Sequence, residues 1–322
     1  MLIMTFLERL RAPKQPSKRH RRRRQPVRVF EQLEVRTLLA ANLLVTTLDD
    51  VVDAGDGVTS LREAIALAES TSTDDIIQFD GSILDGSGKG TINLATAFNQ
   101  LMYNGTSAGG LAIQGDVDGD GTADITLDAN RTLATAALDT RVFHATNVSA
   151  MTLDGLIFRE GYLVGDYTSQ PTGGAVYVAT TGATDDVVTI SNSQIIDSTS
   201  FTAGGLYVSA AGSSVTIRDT TISGNTAAYR GGGAYVIVDN GRANFTGTVI
   251  DNNAASLYGG LYLGAYSGIA SFTGTVIDNN TASDNHGGLY LNARGGIASF
   301  TDSSISGNTA ASYYGGAYVD AT

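Results

Sequence analysis

Cysteine and tryptophan are absent from the 322 residues, and proline occurs only 4 times. Without cysteine there are no disulfides, no thiolate zinc sites and no cysteine nucleophiles. Cations are scarce over most of the chain. Residues 1–36 hold 11 of the 20 Lys and Arg, and beyond them Lys89 is the only lysine, beside eight Arg. The remainder carries 29 acidic side chains and a formal charge of −20. An acidic surface of this size repels phosphate backbones, so residues 37–322 are not expected to bind nucleic acid. No stretch reaches the roughly 18–20 apolar residues that a membrane-spanning helix needs.

Glycine, in contrast, is plentiful, with 39 copies. They follow no three-residue period, which excludes a collagen-like chain and points to many tight turns. The second residue of each "GG" pair falls at Gly174, Gly205, Gly233, Gly260, Gly288 and Gly316, in steps of 31, 28, 27, 28 and 28 residues. Three further ladders share this period: Asn225, Asn253, Asn280, Asn308; Ile222, Ile250, Ile277, Ile305; and Ile190, Ile217, Phe245, Phe272, Phe300. Several ladders at one period mean one structural unit stacked on itself.

Each unit contains short runs such as "GGLYV", "VTIRD" or "ANFTG", and "TTISGN". Their period-two alternation of β-branched and aromatic residues predicts strands. The expected fold is all-β: a right-handed parallel β-helix, with three short strands per coil of about 27–28 residues. Strands then pair with their counterparts one coil on, about 4.8 Å away, and Ile, Val, Leu and Phe point inward. A β-propeller is disfavoured because its blades usually need about 40 or more residues. The Asn ladder fits a turn, since Asn tolerates left-handed backbone and bonds to nearby main chain, and stacked copies can also bond side chain to side chain between coils. A polar binding stripe is the rival reading of that ladder.

The alternation of "GGLY" or "GGAY" with "ISGN" or "IDNN" over residues 173–322 resembles the GGA[IVL] and FxxN repeats of the polymorphic outer membrane protein family. Ile stands here in place of the Phe of FxxN. The resemblance implies an exported, β-helical and often adhesive protein. Family members usually carry a C-terminal membrane barrel, of which residues 173–322 show no sign.

An open coil end needs a lid. "TSLREAIALAES", residues 59–70, supplies a helix over about 60–70: Ser60 and Glu63 form an S-x-x-E capping box, and Leu61, Ala64, Ile65 and Ala68 one apolar face. Arg62 and Glu63 are read as capping and surface groups. The segment resembles the CSLREA opening of exported bacterial β-helix proteins, with Thr59 in place of Cys. Upstream, "FEQLEVRTLLA", residues 30–40, resembles the LEPR-x-LL leader of bacterial surface proteins, with Val35 in place of Pro. Both resemblances imply a secreted or cell-surface protein of a bacterial envelope. The basic run "KRHRRRR", residues 18–24, is read as part of that leader, with nucleic-acid or membrane contact as the alternative.

The expected organisation is therefore a disordered basic leader (1–44), a cap (45–75), irregular first coils (76–150) and regular repeats (151–322). The repeats stop on the first strand of a coil, at "GGAYVDAT". That reads as a truncated array whose open strand edges invite self-association.

One loop, in the segment 115–128, carries metal chemistry. "GDVDGDGTADITL" alternates Asp116, Asp118 and Asp120, then gives Gly121, Thr122 and Asp124. Alternating carboxylates with the Thr122 carbonyl suit a hard cation, and a structural calcium ion is the expected cofactor. The loop departs from an EF-hand, because Leu127 stands where a bidentate Glu would. Asp128 falls one residue out of register.

Catalytic groups are thin. His144 sits in the alternating "RVFHAT", on a strand face, and His286 in a turn where other repeats carry Tyr258 and Tyr314. Asp219, Asp251, Asp278 and Asp302 lie on or near repeated positions rather than together at one coil. The reading is a non-catalytic adhesion or scaffold module that contacts a glycan or a cell-surface protein. The alternative is a polysaccharide lyase or glycoside hydrolase of the pectate-lyase-like β-helix class, its site hidden in residues 76–170. The contact face is expected at Tyr207, Tyr235, Tyr262, Tyr290 and Tyr318, which alternation places outward, one per coil.

Overall fold

A computed structural model describes residues 42–95, 97–106, 109–129, 140–163 and 165–321. The basic leader, up to residue 41, lies outside the described residues. From residue 42 the chain winds as a right-handed parallel β-helix. Among the described residues every strand pairs in parallel with its equivalent one coil along, in four sheets named here after what they stack. The Phe sheet has nine strands, from Asn42–Val45 to Ile297–Thr301. The Tyr sheet has eight, from Leu101–Asn104 to Ala317–Asp320. The Ile sheet also has eight, from Gly90–Asn93 to Ser304–Ser306. These three hold the three runs read in each repeat. A short fourth sheet of five strands runs from Thr199–Thr202 to Thr309–Ala310. Its strands, "TAAYR" for example, alternate weakly and slip register, which is why sequence alone reads them as turn.

Stacking of like on like sets the register. Ile217 pairs with Phe245, Phe245 with Phe272, and Phe272 with Phe300. The rings of Phe245 and Phe272 stack at 5.0 Å and those of Phe272 and Phe300 at 4.7 Å. Ile222, Ile250 and Ile277 form the facing column and are buried. Each such side chain contributes about 1.5–3 kcal/mol through its removal from water.

The buried polar positions sit at the corners. Asn225, Asn253 and Asn280 are fully enclosed. Each Nδ2 donates to a main-chain carbonyl of the preceding coil (Ile195, Ile222 and Ile250, at 2.8–2.9 Å) and to Oδ1 of the next Asn. Ser198 holds the equivalent place one coil earlier, and its backbone N–H donates to Asn225 Oδ1 at 3.0 Å. The Asn ladder is thus internal, which excludes a surface binding stripe at these positions. The left-handed backbone expected of it belongs instead to the residue before each ladder member: Gly224, Asn252, Asn279 and Gly307, with φ of 52–67°.

The GG pairs lie against this ladder. A Cβ at Gly260 would sit 2.6 Å from the Gly288 carbonyl oxygen and 2.9 Å from the Asn280 amide. At Gly232 it would sit 2.3 Å from the Gly259 carbonyl oxygen. Neighbouring coils approach too closely there for any side chain.

Helix α1, Leu61–Glu69, is N-capped by Ser60 in a complete capping box with Glu63. It packs on strands 42–45, 75–79 and 101–104 through Leu61, Ala64, Ile65 and Ala68, all buried. Arg62 ties it down by an ion pair to Asp50, at 2.8 Å, and by bonds to the Asn99 and Gln100 carbonyls.

Candidate functional surfaces

The acidic loop connects strand Leu111–Gln114 of the Phe sheet to strand Ile125–Asp128 of the Ile sheet. Carboxylate oxygens of Asp116, Asp118 and Asp120 gather within 4.8 Å of one another. Asp116 is fixed by the loop's own backbone, accepting from the N–H groups of Gly119, Asp120 and Gly121 at 2.8–3.1 Å. Asp120 accepts from the Thr122 hydroxyl and N–H, which holds its carboxyl below the usual carboxylate range.

Asp124 does not join them. It is buried, 2% exposed, and its Oδ1 pairs with Lys89 Nζ at 2.7 Å while Oδ2 accepts from Val117 N–H. The reason is desolvation: a carboxylate taken out of water needs a cation and N–H donors, and Lys89 reaches it from the turn before the first Ile-sheet strand. Asp128 likewise pairs with Arg159, at 2.6 Å.

The five tyrosines share one outward column of the Tyr sheet. Consecutive rings are separated by 5.8, 4.1, 5.4 and 5.1 Å, within 6–16° of parallel. Tyr177 extends the column, 5.0 Å from Tyr207. Sequence reasoning missed it because Tyr177 follows its GG pair by three residues rather than two; the flanking Val176 and Val178 were the available signal. The rings use their faces on each other, so the column presents edges and phenol groups. Burial raises the phenol pKa of Tyr207, Tyr262 and Tyr290 above the ordinary tyrosine range, Tyr262 the most.

A second aromatic column flanks the first. Tyr258, His286 and Tyr314 occupy the left-handed position before each GG pair, with φ of 56–64°. Tyr258 lies 4.7 Å from Tyr290, and His286 lies 4.9 Å from it. Such backbone is unfavourable for bulky residues, and the ring contacts offset it.

A family description, right handed beta helix region, matches residues 142–321. The chain belongs to that family. No curated protein and no solved structure gives a significant match. Among the described residues of this β-helix, no helix is long and apolar enough to cross a membrane.

The β-helix also holds one polar cluster off the repeat. Arg141 is 9% exposed and has its guanidinium 5.2 Å from the Tyr177 ring centre, closing that end of the stack. It donates to the Gly173 and Thr172 carbonyls and to Gln100 Oε1, at 2.6–2.8 Å. Burial without a carboxylate pulls its pKa down to about 10. His144 meets Tyr177 edge-on at 4.7 Å, and Gln100 Nε2 lies 3.2 Å from its Nδ1. Burial, and secondarily Arg141, pull the imidazole down to about 4, so it is neutral at pH 7. His144 was read from sequence as a strand-face residue, and Phe143–Val148 is that strand. Arg141 precedes it in the same "RVFHAT" run, whereas Gln100 and Tyr177 come from the neighbouring coils, which sequence alone does not bring together.

Proposed function

We propose that the chain is an exported, acidic β-helix that serves as an adhesion and scaffold module at the cell surface. The observation that supports it best is the aromatic face: six tyrosines in register along one sheet, flanked by Tyr258, His286 and Tyr314. A periodic, rigid surface of this kind suits an extended or multivalent partner, because each coil presents the same group at a fixed interval. The likeness of the GG and ISGN repeats to the polymorphic outer membrane protein family, and of the leader and cap to exported bacterial proteins, supports the location. The proposed calcium ion sits on Asp116, Asp118 and Asp120 and fastens the irregular early coils. Binding of the full chain to a glycan array and to bacterial or host cell surfaces is the direct test. No binding to either would sink the adhesive reading.

The polysaccharide-degrading alternative rests on the Gln100–Arg141–His144–Tyr177 cluster. A neutral imidazole can take a proton and a phenol can give one, which are the roles β-elimination from a uronate requires. Unsaturated products from a polyuronate, lost in His144→Gln, would favour that reading.

A further inference from the structure

The cap carries a feature that sealing the coil does not use. Beside its core stripe of Leu61, Ala64, Ile65 and Ala68, helix α1 has a second stripe, Glu63, Ala66, Leu67 and Ser70, at i, i+3, i+4 and i+7. The core stripe is buried, whereas Leu67 is 50% exposed. Across from it, the turn between Asp50 and Ser60 brings up Val52, 57% exposed, and Val58, 40% exposed. An open groove of about 410 Å³ lies between stripe and turn, its walls formed by Val52, Ala54, Val58, Ala66 and Leu67. Exposed apolar side chains scattered singly are ordinary, but several around one groove mark a contact site. The volume falls within the range of roughly 300–1,000 Å³ usual for ligand sites.

Hydrogen bonds hold both walls in place. Glu63 Oε1 accepts from the Asp53 N–H at 2.7 Å, and Ser60 Oγ donates to the Val51 carbonyl at 2.7 Å, which fixes the turn to the helix. Asp53 and Asp56 accept from the N–H groups of Gly55 and Val58 at 3.0 Å, which shapes the turn itself.

Charge selects the occupant. Arg62 is the only Lys or Arg between residues 42 and 88, against ten acids. Its guanidinium is committed to Asp50 and to the Asn99 and Gln100 carbonyls. Asp53 and Asp56, on the turn, are exposed. Such a rim repels anionic lipid headgroups and acidic peptides and attracts Lys and Arg. The apolar walls offer few polar groups to the hydroxyls of a sugar. Helix α1 has nine residues, so it is about 14 Å long. That length fits about four extended residues at roughly 3.3 Å each.

We propose that this groove on the cap binds a short basic and apolar segment of a partner protein. The site is independent of the tyrosine face and gives the module a second contact, at its first coils.

The probe is a fluorescein-labelled octapeptide of alternating Leu and Lys, which puts all Leu on one side when extended. The full chain is titrated with it by fluorescence anisotropy, beside Ser/Lys and Leu/Glu octapeptides. The Leu/Lys peptide should bind saturably. The Ser/Lys peptide, which has the charge without the apolar side chains, should bind at least tenfold more weakly, and so should the Leu/Glu peptide. Leu67→Gln should weaken Leu/Lys binding about tenfold, through the apolar contact it removes. The double variant Asp53→Asn, Asp56→Asn should weaken it about threefold at low salt and flatten its salt dependence. Asn keeps the oxygens that accept from the Gly55 and Val58 N–H groups, so the turn is preserved. Melting temperatures show which variants are folded, and Val58→Thr, on the opposite wall, replaces Leu67→Gln if that variant is not. Absence of saturable Leu/Lys binding, equal binding of the Ser/Lys peptide, or binding unchanged in the folded wall variant would overturn the site. A Leu/Glu peptide bound as tightly as the Leu/Lys peptide would overturn the ligand class.

Discussion

Asn225 and Asn253, one coil apart, are joined twice through a single atom. Oδ1 of Asn253 accepts from the Asn225 backbone N–H at 2.9 Å and from its Nδ2 at 3.1 Å. The same arrangement repeats from Asn253 to Asn280 and from Asn280 to Asn308. The Asn253 side chain thereby satisfies a buried N–H and a buried carbonyl of the preceding coil, and donates to the Asn280 amide oxygen of the next. Asn253→Ala removes this and leaves the Ile222 carbonyl and the Asn225 N–H unpaired. The expected loss is about 2–4 kcal/mol, from an orphaning cost of roughly 1–3 kcal/mol per group. Urea denaturation of wild type and variant checks it, and a shift under half a unit of that lower bound would contradict an internal ladder.

Gly260→Ala tests the close approach of coils. The added methyl would stand 2.6 Å from the Gly288 carbonyl oxygen. The coils must separate or tilt, at a cost of about 2 kcal/mol or more. Gly57→Ala, where nothing lies near but φ is 83°, should cost only backbone strain, about 1 kcal/mol. Equal losses in the two variants would count against coil-to-coil contact as the reason for the GG pairs.

Stability should fall as the solution is acidified, with His144 one contributor. Its folded pKa, about 4, is depressed below the unfolded value of about 6.5. Protons therefore favour the unfolded chain, and the contribution is lost as pH falls from about 6.5 through 4. After discounting for its partial solvent contact, the effect is about 2 kcal/mol. Carboxylates titrate in the same range, so the measurement is the difference between wild type and His144→Gln. The gap between them should narrow on going from pH 7.5 to pH 4.5.

Calcium should raise the melting temperature of the wild type but not of the double variant Asp118→Asn, Asp120→Asn. At a hundredfold excess over Kd, binding adds about 2.7 kcal/mol. Magnesium, which demands tighter octahedral geometry, should do so less well. An equal response in both proteins would remove the proposed ion. Lys89→Met should leave the response to calcium in place, since Lys89 pairs with Asp124, away from the three gathered carboxylates.

The repeat makes the coil legible in the sequence. Residues that recur at 27–28 positions and alternate in pairs have few ways to pack except parallel stacking, and Phe245, Phe272 and Phe300 do stack. Helix α1 was legible too, because a capping box and one apolar face are local properties. The outward direction of the tyrosines followed from strand parity alone. Three-dimensional packing decided what local pattern cannot carry. Asp124 has the spacing of a metal ligand, but burial gives it to Lys89, 35 residues earlier. The ladder asparagines read as turn residues, yet the left-handed backbone belongs to their neighbours, and the amides go inside because only stacked coils can satisfy them. Sequence determined the period and the faces; the folded coil decided which polar groups meet, because that depends on desolvation and on distances between chain segments far apart in sequence.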